Sequence, residues 1–466
     1  MALLDEKFLL QSEFAVALYE KYAKDENIID YHCHLSPQEI YENKPYKNLT
    51  EIWLGGDHYK WRLLRANGVD EKYITGNGDD YEKYLAFVRV MQNAVGNPIF
   101  EWSHNELKRY FGIHELLTED NAKSVWDRAN ALLATPEFTP RELMKGMKVK
   151  LACTTDDPAD DLKYHQLLAE EEGAFKLLPT FRPDNVWEIT PDFASYLTKL
   201  GNVTDLKVDS FAKMVEALTK RVDYFKSIGG VLADTGMNNF KFIAATESEV
   251  ESIFAKAVAG NALTLEETYK YQTALMLALL KMYHDADWTV QIHMNVLRSA
   301  NKRGLREIGA NTGFDSIGSQ PAIADEIALL MSAAEDQDAL PRTILYSLNA
   351  NDMLPLATIA GSFQSGNRQK IQIGSGWWFL DTASGMHNQL TIFAEQSLLG
   401  NFVGMLTDSR SLLSYPRHEY FRRVLCNFLG ELVEQGRAPE DLEYLGRLVT
   451  RISGQNCLDY LGLTVD

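Results

Sequence analysis

Two histidines separated by a single residue, His32 and His34, follow the apolar segment at residues 27–31. Because successive side chains of a β-strand alternate between faces, the two imidazoles would lie on one face about 7 Å apart. Two neutral imidazoles in that arrangement can hold a divalent metal ion, and Pro37 ends the strand soon after. Two ordinary histidines beside a turn would give the same pattern, so His-x-His alone leaves both interpretations open.

Further polar side chains stand at the ends of other segments with strand character. Arg182, Asp234 and His293 lie at the ends of the third, fourth and fifth such segments, and Asp408 follows the eighth. Each has an ordinary alternative, since a strand-end Asp often caps the next helix and a lone His is usually a satisfied polar residue. Metal ligands and acid–base groups at the same end of several strands are improbable by chance, so the set favours a metal site.

The elements that would position these side chains are eight short β-rich segments, at residues 27–32, 148–153, 176–181, 229–234, 289–293, 342–347, 369–374 and 402–407. Helix-like stretches lie between most of them, for example at 211–228, 265–284 and 322–334. Apolar strands that alternate with amphipathic helices are typical of a parallel sheet covered by helices. Eight such units favour an α/β fold of the (β/α)₈ TIM-barrel type, with an open doubly wound sheet as the competing architecture. Barrel enzymes build their sites from strand ends and the loops that follow them.

One long gap interrupts this alternation. Residues 36–147 separate the first two segments and are rich in Trp, Tyr and helix-forming residues. We interpret them as a mostly helical insertion after the first strand, lying over the C-terminal mouth of the barrel. The tail is also predicted to be helical, at 420–435 and 442–452. With no low-complexity linker and no repeat, residues 1–466 are predicted to form a single barrel domain.

Composition limits the partners and the location of the protein. The chain carries 46 basic and 65 acidic residues, a formal net charge of −19. Nucleic acid and anionic membranes demand a basic surface, so both are disfavoured as partners. The first residues do not show the pattern of a secretory signal, and no apolar run is long enough to predict a membrane span, so we expect neither. Its four cysteines (Cys33, Cys153, Cys426 and Cys457) lack CxxC spacing, which is typical of free thiols in a reducing cytoplasm.

Seven segments, taken in order, resemble a known family. His-x-His on the first strand, His on the fifth and Asp on the eighth look like the amidohydrolase superfamily. The stretches YHCHLSP, WLGGDHYKWRLLRANGV, TTDDP, FRPD, QIHMNVLRSAN, GWWFLD and LTDSR more specifically resemble the uronate isomerase (glucuronate isomerase) family, from about residue 20 to about residue 430. The resemblance implies interconversion of D-glucuronate with D-fructuronate and of D-galacturonate with D-tagaturonate.

The resemblance also implies roles for individual residues. It puts His32, His34 and Asp408 on the metal, with Asp408 alternatively the proton carrier. The remaining implied site residues are His58 and Tyr59 as hydrogen-bond donors or acid–base partners; Arg182, Arg298 and Arg410 on the substrate carboxylate and hydroxyls; His293 and Asp234 as hydrogen-bonding groups, with His293 an alternative fourth ligand; and Trp378 as an apolar wall. Thr235 follows Asp234 where we expect the family to have a His, so no role is assigned to it.

The residues also argue for one metal ion rather than two. Binuclear amidohydrolases often use a modified Lys on strand four and a His on strand six, but this chain has Ala233–Thr235 and Tyr346–Asn349 there. A single divalent metal therefore fits better, with zinc as the first choice, manganese, iron or cobalt as alternatives, and no organic cofactor. A homo-oligomer is left open.

Aldose–ketose isomerisation places three demands on such a site. The substrate carboxylate needs an anchor, for which a planar arginine is best suited. The carbonyl must be polarised as an enediol develops, and a base must carry a proton between C2 and C1. The competing enzyme class is a mononuclear hydrolase or deaminase of the same superfamily, and a third class is a sugar-acid binding protein without activity. The missing strand-six His argues against the former, and the intact set of candidate catalytic side chains argues against the latter.

Overall fold

The computed structural model describes residues 3–171, 173 and 175–465. Within these residues the strands are β1 Ile28–Asp30, β2 Val149–Cys153, β3 Lys176–Leu178, β4 Thr180–Phe181, β5 Leu232–Met237, β6 Thr289–Met294, β7 Val296–Leu297, β8 Ser316–Ile317, β9 Arg342–Ser347 and β10 Ile371–Ile373.

The helices of the first half are α1 Glu13–Tyr22, α2 Pro37–Glu42, α3 Leu49–Leu54, α4 His58–Ala66, α5 Asp80–Met91, α6 Pro98–Phe111, α7 Ala122–Leu133, α8 Pro140–Gly146, α9 Lys163–Ala169, α10 Asp184–Trp187, α11 Phe193–Thr204 and α12 Phe211–Ser227. Those of the second half are α13 Glu247–Val258, α14 Leu265–Asp285, α15 Lys302–Glu307, α16 Ile323–Glu335, α17 Met353–Ser362, α18 Ala383–Gln396, α19 Pro416–Glu434, α20 Leu442–Thr450 and α21 Asn456–Leu461. Single 3₁₀ turns lie at Glu71–Tyr73, Pro136–Phe138, Ala350–Asp352, Leu399–Asn401 and Leu412–Ser414, and a π-helical turn spans Arg451–Gln455. No helix in the described part of the chain is both long and apolar enough to cross a bilayer.

The principal strands are parallel and follow one another around the sheet. Their order is β1–β2–β3 in one ladder and β4–β5–β6–β9–β10 in the other. Only Pro179 separates β3 from β4, and because proline has no N–H to donate it breaks the ladder at that point. Apart from that junction, helices connect successive strands of the sheet, which confirms the predicted α/β fold of the (β/α)₈ TIM-barrel type. The small β7–β8 pair is antiparallel and lies outside this sheet.

The eighth predicted strand, at 402–407, is not a regular strand. Gly404 and Asp408 have φ of 87° and 49°, and these left-handed values take the backbone out of the β region. The segment still lies beside β1 and β10. The Asp408 N–H donates to the His32 carbonyl at 3.1 Å, and Val403 N–H donates to the Gln372 side chain at 3.2 Å. The prediction of a regular strand at 402–407 was therefore wrong, although the segment lies where that strand was expected, beside β1 and β10.

Helix boundaries follow local signals. The side chain of Ser210 caps α12, and Thr264 forms a capping box with Glu267 at the start of α14. These two helices begin at the residues expected from the sequence. Residues 36–147 contain the seven helices α2–α8, whose buried aromatic side chains, including Trp53 and Trp102, belong to the same apolar cluster as the strands.

One buried carboxyl at the end of β2 predicts a pH-dependent stability. Burial raises the pKa of Asp156 to about 7, although hydrogen bonds from Thr154 and the Thr180 N–H oppose the shift. A carboxyl with a raised folded-state pKa favours folding below its unfolded pKa of about 4, and this contribution is lost as the pH rises to about 7. Asp156→Asn should remove this loss. Between pH 4 and pH 8, the free energy of unfolding by urea should fall by up to about 4 kcal/mol more for the wild type than for Asp156→Asn. Parallel pH profiles for the two proteins would contradict the prediction.

Candidate active site

A pocket of about 300 Å³ opens at the carboxyl ends of the strands. Its walls come from strand ends and from the start of α4 in residues 36–147. The lining residues are His32, His34, Gly56, Asp57, His58, Tyr59, Thr155, Arg182, Asp184, His293, Arg298, Asn311, Trp377, Trp378, Asp381, Thr407, Asp408, Ser409, Arg410, Ser411 and Arg417. All the site residues predicted from the sequence line this pocket except Asp234, which lies buried directly beneath it.

Three predicted ligands converge in the pocket. The Asp408 Oδ1 atom lies 3.2 Å from His32 Nε2 and 3.0 Å from His34 Nε2. Donor atoms that share one divalent metal ion, each bonded at roughly 2.0–2.2 Å, lie at about such separations. Two imidazole nitrogens and a carboxylate oxygen are also a suitable donor set for zinc and its first-row neighbours. The residues therefore fit a single metal ion, whose identity the donor set leaves open.

Neighbouring side chains fix the orientation of these ligands. Thr155 Oγ1 lies 2.6 Å from His34 Nδ1, which leaves Nε2 of that ring directed at Asp408. Trp377 Nε1 donates to Asp408 Oδ2 at 2.6 Å, so the two carboxylate oxygens have different partners. Burial alone would raise the pKa of Asp408, but hydrogen bonds with His32 and His34 outweigh it and hold that pKa well below its usual range. Burial lowers the pKa of His34 and so favours the neutral ring that a ligand requires.

A second group of potential ligands lies below the first. His32, Asp234 and His293 are also close enough to share an ion. Both oxygens of Asp234 are already occupied, however. Oδ1 lies 2.6 Å from His293 Nδ1, and Oδ2 accepts from Arg182 Nη1 at 2.7 Å. Arg182 thus supplies the positive charge that this buried carboxylate needs, and the first group is the better metal site.

The three predicted arginines have different partners. Arg182 is bound between Asp234 and Asp184, and Arg298 donates to Asp315 at 2.8 Å. Arg410, at the mouth of the pocket, contacts the His58 imidazole and forms no ion pair with any acidic side chain of the described residues. Burial, followed by the charge of Arg410, lowers the pKa of His58 to about 4. His58 is therefore neutral near pH 7, and Arg410 is the guanidinium available to an anion.

Tyr59 belongs to a buried polar network. Its hydroxyl donates to Asp381 Oδ1 at 2.7 Å and accepts the Phe379 N–H at 2.8 Å. Burial raises the pKa of Asp381 to about 6, against the opposing effects of Arg417 and Tyr59. The Arg417 guanidinium lies 3.8 Å from Asp381 and 4.2 Å from the centre of the Trp102 ring. The phenol proton of Tyr59 is thus committed to a carboxylate of the protein.

Sequence reasoning missed several of these residues. Thr155, Trp377 and Asp381 all lie within the TTDDP and GWWFLD stretches, so the signal was present without a role. Which of the adjacent tryptophans faces Asp408 depends on the backbone after β10. Trp377 does so, while Trp378 stacks on Phe379 and forms part of the wall beside His58. Nothing in the sequence pointed to Arg417, which comes from the start of α19.

Comparisons with known proteins give a consistent result. The profile of the family described as glucuronate isomerase matches residues 1–461. The chain is 54% identical to a uronate isomerase of Lactococcus lactis subsp. cremoris, covering 99% of this chain and 98% of the relative. A crystal structure of a uronate isomerase from Thermotoga maritima superposes with a TM-score of 0.94 at 33% identity, covering 99% of this chain and 100% of the other. A glucuronate isomerase from Caulobacter crescentus gives 0.91 at 26% identity, with 98% and 97% covered.

Proposed function

The chain belongs to the glucuronate isomerase family, and from this premise we propose that its pocket converts hexuronates into their keto isomers. The reactions are D-glucuronate to D-fructuronate and D-galacturonate to D-tagaturonate, each reversible. The observation that carries the proposal is the convergence of His32, His34 and Asp408 in a pocket that also presents Arg410 to an anion. That combination supplies a metal site, a carboxylate that can carry a proton, and an anchor for a sugar acid.

In this proposal His32 Nε2, His34 Nε2 and Asp408 hold one divalent metal ion, for which zinc is the first choice. When bound, such an ion polarises substrate oxygens and stabilises the negative charge of an enediolate. Contacts with neighbouring side chains hold these donor atoms in place. Thr155 orients His34, and Trp377 orients Asp408.

Arg410 is proposed to bind the substrate carboxylate. Two parallel N–H···O bonds from a guanidinium match the geometry of a carboxylate. Arg182 and Arg298 already donate to acidic side chains, which suits them to contacts with substrate hydroxyls or to a supporting role. His58, neutral beside Arg410, can accept a hydrogen bond from a substrate hydroxyl while the carboxylate is held.

Asp408 is proposed to move the proton between C2 and C1. Its Oδ1 atom faces the two imidazoles, whereas Oδ2 accepts, among the described residues, only the Trp377 N–H and keeps further lone-pair capacity. A carboxylate on one face of the sugar chain can take the C2 proton and return it to C1. His293, held by Asp234 and stacked on Tyr346 with ring centres 4.6 Å apart, lines the floor of the pocket as a hydrogen-bonding group.

Tyr59 is proposed to accept, rather than donate, a hydrogen bond from the substrate, because its proton is committed to Asp381. Tyr59→Phe should therefore lower kcat/KM only about tenfold, as expected for one neutral hydrogen bond and the disturbed Asp381 network. Steady-state kinetics with D-glucuronate measures the effect, and Asp381→Asn, which keeps an acceptor for the phenol, should be milder. Unchanged kinetics would remove Tyr59 from the site. A loss of about a thousandfold or more would make Tyr59 the proton carrier.

The proposed reaction is tested by following each uronate by NMR in buffered water. The expected result is a ketose signal that grows as the aldose signal falls, with the total amount of hexuronate conserved. A hydrolase or deaminase of the amidohydrolase superfamily would instead release a second product such as ammonia. Such a release, or no reaction with either uronate in metal-supplemented protein, would contradict the proposal.

A cytoplasmic location and independence from nucleic acid and membranes complete the proposal. All four cysteines are buried free thiols, which supports a reducing compartment. The net charge of −19 supports a small-molecule substrate over a polyanion as partner. Assembly into a homo-oligomer stays a prediction.

A further inference from the structure

We propose that Asp30 is a positioning residue that holds Asp408 against His32 and His34 and so sets the metal affinity of the centre. The inference rests on the function proposed above and extends it to a side chain outside the pocket. Asp30 ends β1 and comes two residues before the first histidine of the site. It is fully buried and does not line the pocket.

The two carboxylate oxygens of Asp30 bind a single neighbouring residue. Oδ1 accepts the Thr407 N–H at 2.8 Å, and Oδ2 accepts the Thr407 hydroxyl at 2.6 Å. The His418 imidazole also faces the carboxylate, with its Nε2 atom 3.8 Å from Oδ1. Nearly all the hydrogen bonding of this buried carboxylate is therefore directed to the residue immediately before Asp408.

The backbone around Asp408 explains why such a clamp is needed. Residues 402–409 do not form a regular ladder with β1, so the Thr407 N–H has a side chain rather than a main-chain carbonyl as its acceptor. Asp408 itself has φ of 49°, a left-handed conformation that is uncommon for a non-glycine residue.

Two attachments, one at Thr407 and one at the N–H of Asp408, fix the direction of this residue. The Asp30 carboxylate holds Thr407, and the His32 carbonyl accepts the Asp408 N–H at 3.1 Å. Both acceptors come from the same stretch of chain as the histidine ligand. The position of Asp408 Oδ1, 3.2 Å from His32 Nε2, is thus set by contacts that originate within three residues of that ligand. Without Asp30, the backbone at Asp408 is free to relax and the ligand atoms to separate.

The test weakens the clamp from either side. Thr407→Val keeps the shape of the side chain and the buried carboxylate but loses the hydroxyl, and Asp30→Asn converts one acceptor into a donor. Each variant should bind Zn²⁺ about tenfold to a hundredfold more weakly than the wild type, the effect typical of losing a residue that orients a ligand. Affinity is measured on metal-free protein by competition with a chromophoric chelator. The double variant should be no weaker than the weaker single variant, because Thr407→Val removes a bond that Asp30→Asn already disturbs.

Matched controls separate positioning from general destabilisation. Thr407→Ser keeps the hydroxyl and should retain wild-type affinity. Thr343→Val makes the same chemical change in another buried threonine, at the far end of β9, and should leave zinc affinity unchanged. If Asp30→Asn does not fold, Thr407→Val still decides the question. Wild-type zinc affinity in Thr407→Val would overturn this inference alone, whereas a wild-type protein that binds no zinc would overturn the proposed metal centre with it.

Discussion

Asp408→Asn is expected to lower kcat for D-glucuronate by roughly 10⁴-fold while leaving the fold intact. Loss of a positioned general base alone costs about 10² to 10⁴ in rate, and this carboxylate is also proposed as a metal ligand. Asparagine has nearly the same shape and can still accept the Trp377 N–H, so the backbone at residue 408 should keep its course. The rate is measured by NMR or a coupled ketose assay, and the fold by circular dichroism and urea unfolding.

The same variant separates the two roles proposed for Asp408. A protein that binds one equivalent of zinc with reduced affinity yet does not turn over would assign the proton transfer to this residue. Asp336→Asn is the matched control, because it makes the same change at an exposed position at the end of α16 and should have normal kinetics. Near-normal activity in Asp408→Asn would remove Asp408 from both roles.

Arg410→Lys is expected to lower kcat/KM for both uronates by about a hundredfold, mainly through KM. Lysine keeps the charge but cannot form two parallel bonds to a carboxylate, and a hydrogen bond to a charged group contributes about 1.5–3 kcal/mol. Arg298→Lys should have a smaller effect, since Arg298 already donates to Asp315. Arg303→Lys, an exposed arginine on α15 paired with Glu307, serves as the control.

A neutral ligand identifies which atom of the substrate Arg410 binds. D-glucuronamide lacks the negative charge, so as a competitive inhibitor it should bind the wild type and Arg410→Lys about equally. If Arg410→Lys also bound the amide much more weakly than the wild type does, Arg410 would instead contact the substrate hydroxyls. If Arg298→Lys lowered kcat/KM for the uronates more than Arg410→Lys does, Arg298 would be the residue that binds the substrate carboxylate.

The barrel could be predicted because its signals are local. Apolar strands such as β6 and capped helices such as α12 and α14 are encoded in short stretches of sequence. The irregular segment at 402–409 could not be predicted, because side chains replace two of its ladder acceptors: Asp30 accepts the Thr407 N–H and Gln372 the Val403 N–H. An apolar run is compatible with either arrangement, and only the tertiary contact decides between them.

The candidate site likewise contains residues that local sequence predicts and contacts that only tertiary packing determines. His-x-His spacing and the polar strand ends are enough to predict His32, His34, His293 and Asp408 as site residues. The partner of each arginine and the acceptor of the Tyr59 proton could not be predicted, since Asp381 lies 322 residues from Tyr59 in the chain. Their pairing depends on how α4 packs against the loop after β10, and no local pattern encodes that packing.

Anomalous diffraction from zinc-loaded crystals, recorded on both sides of the zinc edge, tests the central claim most directly. We predict one strong peak per chain, within bonding distance of His32 Nε2, His34 Nε2 and a carboxylate oxygen of Asp408. A peak between Asp234 and His293 instead, or no peak in this pocket, would contradict the account.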